Sequence, residues 1–338
     1  MAPLARKRRV PVAAATVIPA AATSAGPAGL GTSRTVRAGV LEVAYYEAGP
    51  ARGPAVLLLH GFPYDVHSYV DVAPELAAAG LRIIVPYLRG HGPTRFADPA
   101  TARSGQQAAL GADVIELLDA LGLPRAVLAG YDWGARAANV VAALWPERCA
   151  GLVSVNSYLI QDISVAGRPL RPDLEAGFWY FHYFATERGM RGLTANRRDI
   201  AEVIWRRNPP DWDFADTLLD RTARAFFNED YVDVVIHSYR HRLGLAPGDP
   251  SYEELERQLA RQPAITVPTI TLDGEADGNF PATDGSASAA HLTGPREHLR
   301  VPHAGHNLPQ ECPAAFAAAV LDLALPDPTA RPQPNRSS

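Results

Sequence analysis

Short, continuously apolar runs recur along the chain, and stretches with helical spacing separate them. Residues 55–59 (AVLLL) form such a run, as expected of a strand covered on both faces. Residues 81–85, 125–129, 150–155 and 264–272 read the same way, the last with interruptions. Residues 40–46 look like an earlier strand that alternates only in places. Helical spacing fills residues 106–121, 135–144 and 313–323 between and after these runs. Strands alternating with helices predict an α/β protein, a mostly parallel central sheet with helices on both faces.

Across residues 158–262 the strand signals vanish, and aromatics, arginines and helical periodicity take over. This block divides the sheet-forming sequence in two, 34–157 and 263–325, and follows the sixth strand of the expected order. In open α/β sheets ligands bind outside the carboxyl ends of the strands, so a helical insertion there is placed to close over a ligand as a cap. Residues 1–33 form a tail whose Arg6-Lys7-Arg8-Arg9 start and Ala/Val/Pro continuation outline either a disordered segment or an export signal. The protein is expected in the cytoplasm, or outside it if that segment is a signal. Residues 326–338, rich in Pro, Arg, Ser and Asn, read as a second disordered tail.

Composition narrows the function. The 338 residues carry a formal charge of −4, which excludes a nucleic-acid binder working by bulk attraction to phosphate. Two cysteines, Cys149 and Cys312, cannot staple a chain of this size and read as packed thiols. No run of about 18 or more apolar residues is free of prolines and charges, so no membrane span is expected. His237 and His241 stand four apart, a spacing that can bind metal. No acidic residue completes a His-Glu-x-x-His pattern, and no metal is expected there.

The chemistry concentrates in loops after the strand runs. Gly130-Tyr131-Asp132-Trp133-Gly134 has the form of a nucleophile elbow, Gly-x-Ser-x-Gly, with aspartate in place of serine. Its other reading is a turn with a helix-capping aspartate. In the elbow reading Asp132 stands at a helix N-terminus, which favours an anion. His60-Gly61-Phe62-Pro63 follows the third strand, where this architecture places its second oxyanion donor. The amides of Phe62 and Trp133 could then converge on one oxygen. Arg89-Gly90-His91-Gly92-Pro93-Thr94 reads as a tight structural loop. In His303-Ala304-Gly305-His306-Asn307, His306 is the candidate base and His303 its rival. The acid belongs on the loop after residue 272, where Asp273, Glu275 and Asp277 qualify and Asp277 is best placed.

Together these segments resemble the α/β-hydrolase superfamily, and within it the branch of epoxide hydrolases and haloalkane dehalogenases. The likeness runs from about residue 34 to 325. The resemblance implies a nucleophile at Asp132, a charge-relay acid at Asp277, a water-activating base at His306, and no cofactor. In epoxide hydrolases two cap tyrosines hold the epoxide oxygen; Tyr180 matches the first position, with Tyr183 as rival, and Tyr239 matches the second. Fluoroacetate dehalogenases clamp a carboxylate with two arginines near the nucleophile; here Trp133 occupies the first position and Arg136 matches the second.

Aspartate is a poor nucleophile toward amides but can displace at a saturated carbon with an activated leaving group. Strained epoxides and carbon–halogen bonds provide one. The expected reaction is therefore opening of a small apolar epoxide by water to a vicinal diol, through an aspartyl ester. Two alternatives stand beside it: a haloalkane or haloacid dehalogenase using the same residues, and a retired hydrolase fold that binds a small ligand. The remaining arginines of the insertion, Arg197, Arg198, Arg206, Arg207, Arg240 and Arg242, read as a solvated, ion-paired helical face.

Overall fold

The computed structural model describes residues 27, 29–209 and 211–325, so the export-signal reading and the second tail fall outside or almost outside the described residues. Nine strands are found there: β1 (Thr32–Ala38), β2 (Leu41–Ala48), β3 (Ala55–Leu59), β4 (Arg82–Pro86), β5 (Arg95–Phe96), β6 (Ala126–Gly130), β7 (Cys149–Val155), β8 (Thr269–Gly274) and β9 (Arg296–Val301). They form one sheet in the order β1-β2-β4-β3-β6-β7-β8-β9, with β5 pairing β2. From β4 to β9 every pairing is parallel, and β1, β2 and β5 pair antiparallel at one edge. Leu57, Leu58 and Leu59 are fully buried, as their unbroken apolar run requires.

Five helices belonging to the sheet half of the chain are α1 (Val72–Ala78), α2 (Gln107–Ala120), α3 (Asp132–Leu144) and, after the insertion described next, a terminal pair. Between β7 and β8 lie α4 (Pro172–Gly177), α5 (Trp179–Ala185), α6 (Glu187–Ala195), α7 (Arg197–Arg207), α8 (Asp216–Ala223), α9 (Tyr231–Arg242) and α10 (Glu253–Leu259). The terminal pair is α11 (Leu308–Glu311) and α12 (Pro313–Ala324). β3 crosses over through α1 to β4 on one side, whereas β6 crosses through α3 to β7 on the other. Right-handed crossovers in opposite directions put α1 and α3 on opposite faces of the sheet. Between β3 and β6 the strand order reverses, so the loops after them part and leave a crevice.

The sequence expectations need three corrections. The helical insertion follows the seventh strand and not the sixth, because Arg95–Phe96 forms an additional two-residue strand against β2. The sheet begins at Thr32, two residues before the expected boundary. Residues 264–268 leave the sheet except for one bridge from Ile265 to Leu292, and β8 starts only after Pro268. Proline has no amide to give a ladder.

The insertion is fastened to the loops that follow β3 and β4. Trp205 of α7 donates its indole N–H to the Pro63 carbonyl at 2.8 Å and stacks on Tyr64 with ring centroids 4.9 Å apart. Asn228 donates to the carbonyls of Gly92 and Thr94, at 2.9 and 2.6 Å. Among the described residues no helix is long and apolar enough to cross a membrane.

Candidate active site

β6 ends at Gly130 and α3 begins at Asp132, so strand becomes helix across one residue. Asp132 takes φ +50°, a left-handed conformation that costs a residue with a Cβ about 1–2 kcal/mol. The glycines are required by close approach. A Cβ on Gly134 would stand 1.9 Å from the Leu59 carbonyl oxygen, and one on Gly61 would stand 2.6 Å from Asp132 Cβ. The turn therefore pushes the Asp132 carboxylate into the crevice between β3 and β6, where the Phe62 amide donates to Oδ1 at 2.7 Å. The Trp133 amide lies in the first turn of α3, where helix N–H groups have no carbonyl of their own helix to meet. His60 braces the opposite wall: its Nε2 accepts from the Leu88 amide at 3.1 Å, so Nδ1 carries the hydrogen donated to the Gly61 carbonyl at 2.9 Å.

The loop between β9 and α11 brings His306 to the same crevice. His306 Nδ1 lies 2.9 Å from Asp277 Oδ2, and Nε2 lies 3.7 Å from Asp132 Oδ2. Asp277 is held in turn: Oδ1 accepts from the amides of Asn279 and Phe280, at 2.8 and 2.9 Å, and Oδ2 accepts from Asn156 Nδ2 at 3.2 Å. The Phe280 ring stacks on the imidazole, centroids 5.5 Å apart and planes 12° from parallel. Glu311 clamps both neighbours of His306, accepting from the amides of Gly305 and Asn307 at 2.6 and 2.9 Å. Burial pushes the Glu311 carboxyl up to about 7, against the pull of those two amides.

The rival residues turn elsewhere. His303 is exposed, and Glu275 is exposed and paired with Arg300 at 2.9 Å. Asp273 accepts from the amide and hydroxyl of Thr283, both at 2.8 Å. Tyr180 of α5 lines the cavity over Asp132, whereas the Tyr183 hydroxyl sits against Gly192, where a Cβ would come within 1.9 Å of it. Tyr239 of α9 meets the Tyr180 ring edge to face at 5.4 Å, and its hydroxyl accepts from Trp133 Nε1 at 3.3 Å. His237 has both ring nitrogens engaged, by the Gly105 amide and the Pro247 carbonyl, each at 3.0 Å.

Burial opposes charge on His306, but the Asp277 carboxylate, with Asp132 beside it, outweighs burial and raises the imidazole to about 10. Burial likewise opposes charge on Asp132, yet His306, the Phe62 amide and Arg242 together hold its carboxyl below the ordinary value. The resting site is thus an imidazolium between two carboxylates. Asp132→Asn removes one of the two anions that retain the proton while burial continues to expel it. The His306 titration midpoint should therefore fall, by about one unit or more, each unit being about 1.4 kcal/mol. Imidazole NMR shifts followed from neutral to alkaline pH would measure it; an unmoved midpoint would show that Asp132 is not the partner.

Four neighbours were not singled out by the sequence as site residues: Asn156, Phe280, Glu311 and Arg242. Arg242 also corrects the solvated-face expectation, because it lines the Asp132 cavity together with Arg136, Asn156, Leu159, Tyr180 and Phe181. Its signal was available: Arg242 stands three residues after Tyr239, on the same side of α9. The cavity holds about 10 Å³, close to the room one water needs.

Comparison with known proteins adds to this geometry. Residues 54–311 match the family model of the alpha/beta hydrolase fold. The chain is 28% identical over 319 residues to epoxide hydrolase A of Mycobacterium tuberculosis, covering 87% of this chain and 98% of that protein. Over 152 residues it is 36% identical to epoxide hydrolase B of the same organism, 41% of this chain and 42% of the relative. A candidate epoxide hydrolase from Klebsiella pneumoniae subsp. pneumoniae superposes with a TM-score of 0.85 at 48% identity, covering 86% of this chain and 97% of that one.

Proposed function

The chain belongs to the alpha/beta hydrolase fold family, and from that premise we propose that it opens an epoxide with water to a vicinal diol through an ester on Asp132. It is a hydrolase, and relatives it resembles in Mycobacterium tuberculosis carry the name epoxide hydrolase. One observation carries the reading: buried Tyr180 lines the cavity over the Asp132 carboxylate with the ring of buried Tyr239 against it, and the His306–Asp277 pair stands on the carboxylate's other side.

Asp132 attacks a ring carbon, and the ring oxygen leaves as a developing alkoxide. Burial raises the Tyr180 and Tyr239 hydroxyls well above their ordinary value, so both are protonated at neutral pH and donate to that oxygen. Esterification removes the Asp132 charge, so His306 loses one of its anions and returns its proton to the tyrosinate left by protonation of the ring oxygen. Held by Asp277, it then deprotonates a water that attacks the ester carbonyl. The Phe62 amide, already on Asp132 Oδ1, stabilises the tetrahedral oxyanion with the Trp133 amide; one such donor is worth about 3 kcal/mol. In this reading residues 34–157 and 263–325 are the hydrolase core, and residues 158–262 are the cap that excludes water.

One feature weighs against dehalogenation. A departing halide needs N–H donors, but the Trp133 indole is engaged by Tyr239 and the Trp205 indole by Pro63. A retired binder has no use for nucleophile, acid, base and oxyanion donor together.

A single turnover with enzyme in excess in ¹⁸O-water tests the ester. The diol should form without label, since its new oxygen comes from Asp132, and the label should appear in the Asp132 carboxylate. Label in the first diol formed would reject the ester mechanism.

A further inference from the structure

The last turn of α7 and the two residues after it reach all three loops that meet at Asp132. Trp205 donates to the Pro63 carbonyl, next to the residue whose amide holds Asp132. Asn208 meets the loop of the acid: its carbonyl accepts from the Gly278 amide at 2.7 Å, and its Oδ1 accepts from Asn279 Nδ2 at 2.5 Å. Pro209 packs on the loop of the base, where a Cβ on Gly305 would stand 2.6 Å from the proline Cα.

Asn208 is 1% exposed, so its polar groups must find partners inside the protein. The helix sets where it stands, since its own amide closes the last turn on the Ile204 carbonyl at 2.9 Å. Its Nδ2 donates to the Tyr64 hydroxyl at 3.5 Å, a long contact beside the short one to Asn279. A Cβ on Gly278 would stand 2.0 Å from the Arg207 carbonyl oxygen, so backbone lies directly on backbone here.

This contact bears on Asp277. Oδ1 of Asp277 accepts from the amides of Asn279 and Phe280, so the carboxylate and the turn 277–280 move as one piece. Apart from His306 itself, the core holds only the near side of that piece. The Ala276 amide donates to the Ala304 carbonyl at 2.8 Å, and Asn156 donates to Asp277 Oδ2 at 3.2 Å. On the far side stand the two bonds to Asn208; among the described residues the next hydrogen bond to another segment comes only at Thr283.

We propose that Asn208 is a positioning residue for ester hydrolysis: from the end of α7 it sets the Asp277 carboxylate against His306 through Asn279 and Gly278. The proposal rests on the ester reading above. It makes the second half-reaction depend on a residue of the insertion that does not line the cavity over Asp132. Ester formation keeps Asp132, the Phe62 amide and both tyrosines, none of which bonds to Asn208.

Rapid-quench kinetics of the full chain with styrene oxide tests this, with the ester followed by intact mass and the diol by chromatography. Asn208→Leu, which keeps the branched shape, should form the ester at the normal rate. It should hydrolyse the ester about 10²-fold more slowly, the scale of a misplacement of roughly 1 Å. Asn279→Ala should slow the same step, and the double variant should be no slower than the slower single one, because one chain of contacts is broken twice. An asparagine that merely fastens the insertion would slow both half-reactions, and the two substitutions would multiply. Thermal melts verify folding; if Asn208→Leu does not fold, Asn279→Ala, which leaves α7 intact, carries the same expectation. A second measurement needs no substrate. The proton NMR signal of the His306 Nδ1–H, identified by its loss in His306→Gln, should shift in Asn208→Leu and in Asn279→Ala. Ester hydrolysis at the normal rate, equal slowing of both steps, or an unmoved proton signal overturns the positioning role and leaves the ester reading standing. No ester in any variant, His306→Gln included, overturns the ester reading; a shifted proton signal then still supports the hold of Asn208 on the Asp277–His306 pair, and an unmoved one overturns it.

Discussion

His306→Gln, mixed with a reactive epoxide, is expected to stop halfway through the cycle and gain the mass of the substrate on Asp132. The first step needs only an ionised Asp132 and a proton donor for the ring oxygen. Asp132 keeps the helix N-terminus and the Phe62 amide in this variant, so it stays ionised at neutral pH although its imidazolium partner is gone. The second step needs a base near the ester, and glutamine is not one. Loss of a positioned base typically slows such a step about 10²–10⁴-fold, enough for the ester to accumulate. Intact-protein mass spectrometry would show one adduct per chain, and peptide mapping would place it at residue 132. Steady diol formation with no adduct would refute the assigned order of events.

The paired substitution Tyr180→Phe with Tyr239→Phe acts on the other half-reaction. An alkoxide leaving in a dry cavity without a donor is the larger obstacle. If each hydroxyl acts as a donor of the oxyanion type, removing one costs about 10²–10³-fold and removing both costs more. Phenylalanine preserves the ring packing with Phe62, Phe181 and Phe184, so the fold should persist. Tyr239→Phe also strands the Trp133 indole N–H, which adds a stability cost of about 1–3 kcal/mol. A departing halide takes no proton, so any halide displacement the protein performs should be spared. Equal loss of epoxide opening and halide release would undo the assignment of the tyrosines to the ring oxygen.

The same contrast between local and distant constraint separates what could be read along the chain from what could not. The elbow was legible because its parts are adjacent: an apolar run, two glycines forced by close approach, and an aspartate between them. The parallel strands β3, β4, β6 and β7 were legible because burial on both faces leaves no polar position to break the run. β9, with Arg296, Glu297 and Arg300 exposed at the sheet edge, carries no such signature. β5 is too short to have one.

Sequence alone determined the order of the candidate nucleophile, acid and base and the residues from which each could be drawn, since loops after successive strands follow chain order. Tertiary structure brings Asp277, rather than Asp273 or Glu275, to His306, and His306, rather than His303, to Asp132, because neighbours one to four residues apart in a loop point in directions set by contacts far away in the chain. It also decided that Arg242 faces Asp132 while Arg198 and Arg206 pair with surface carboxylates. A run of arginines fixes composition, but the rotation of α9 against the core fixes which guanidinium enters the cavity.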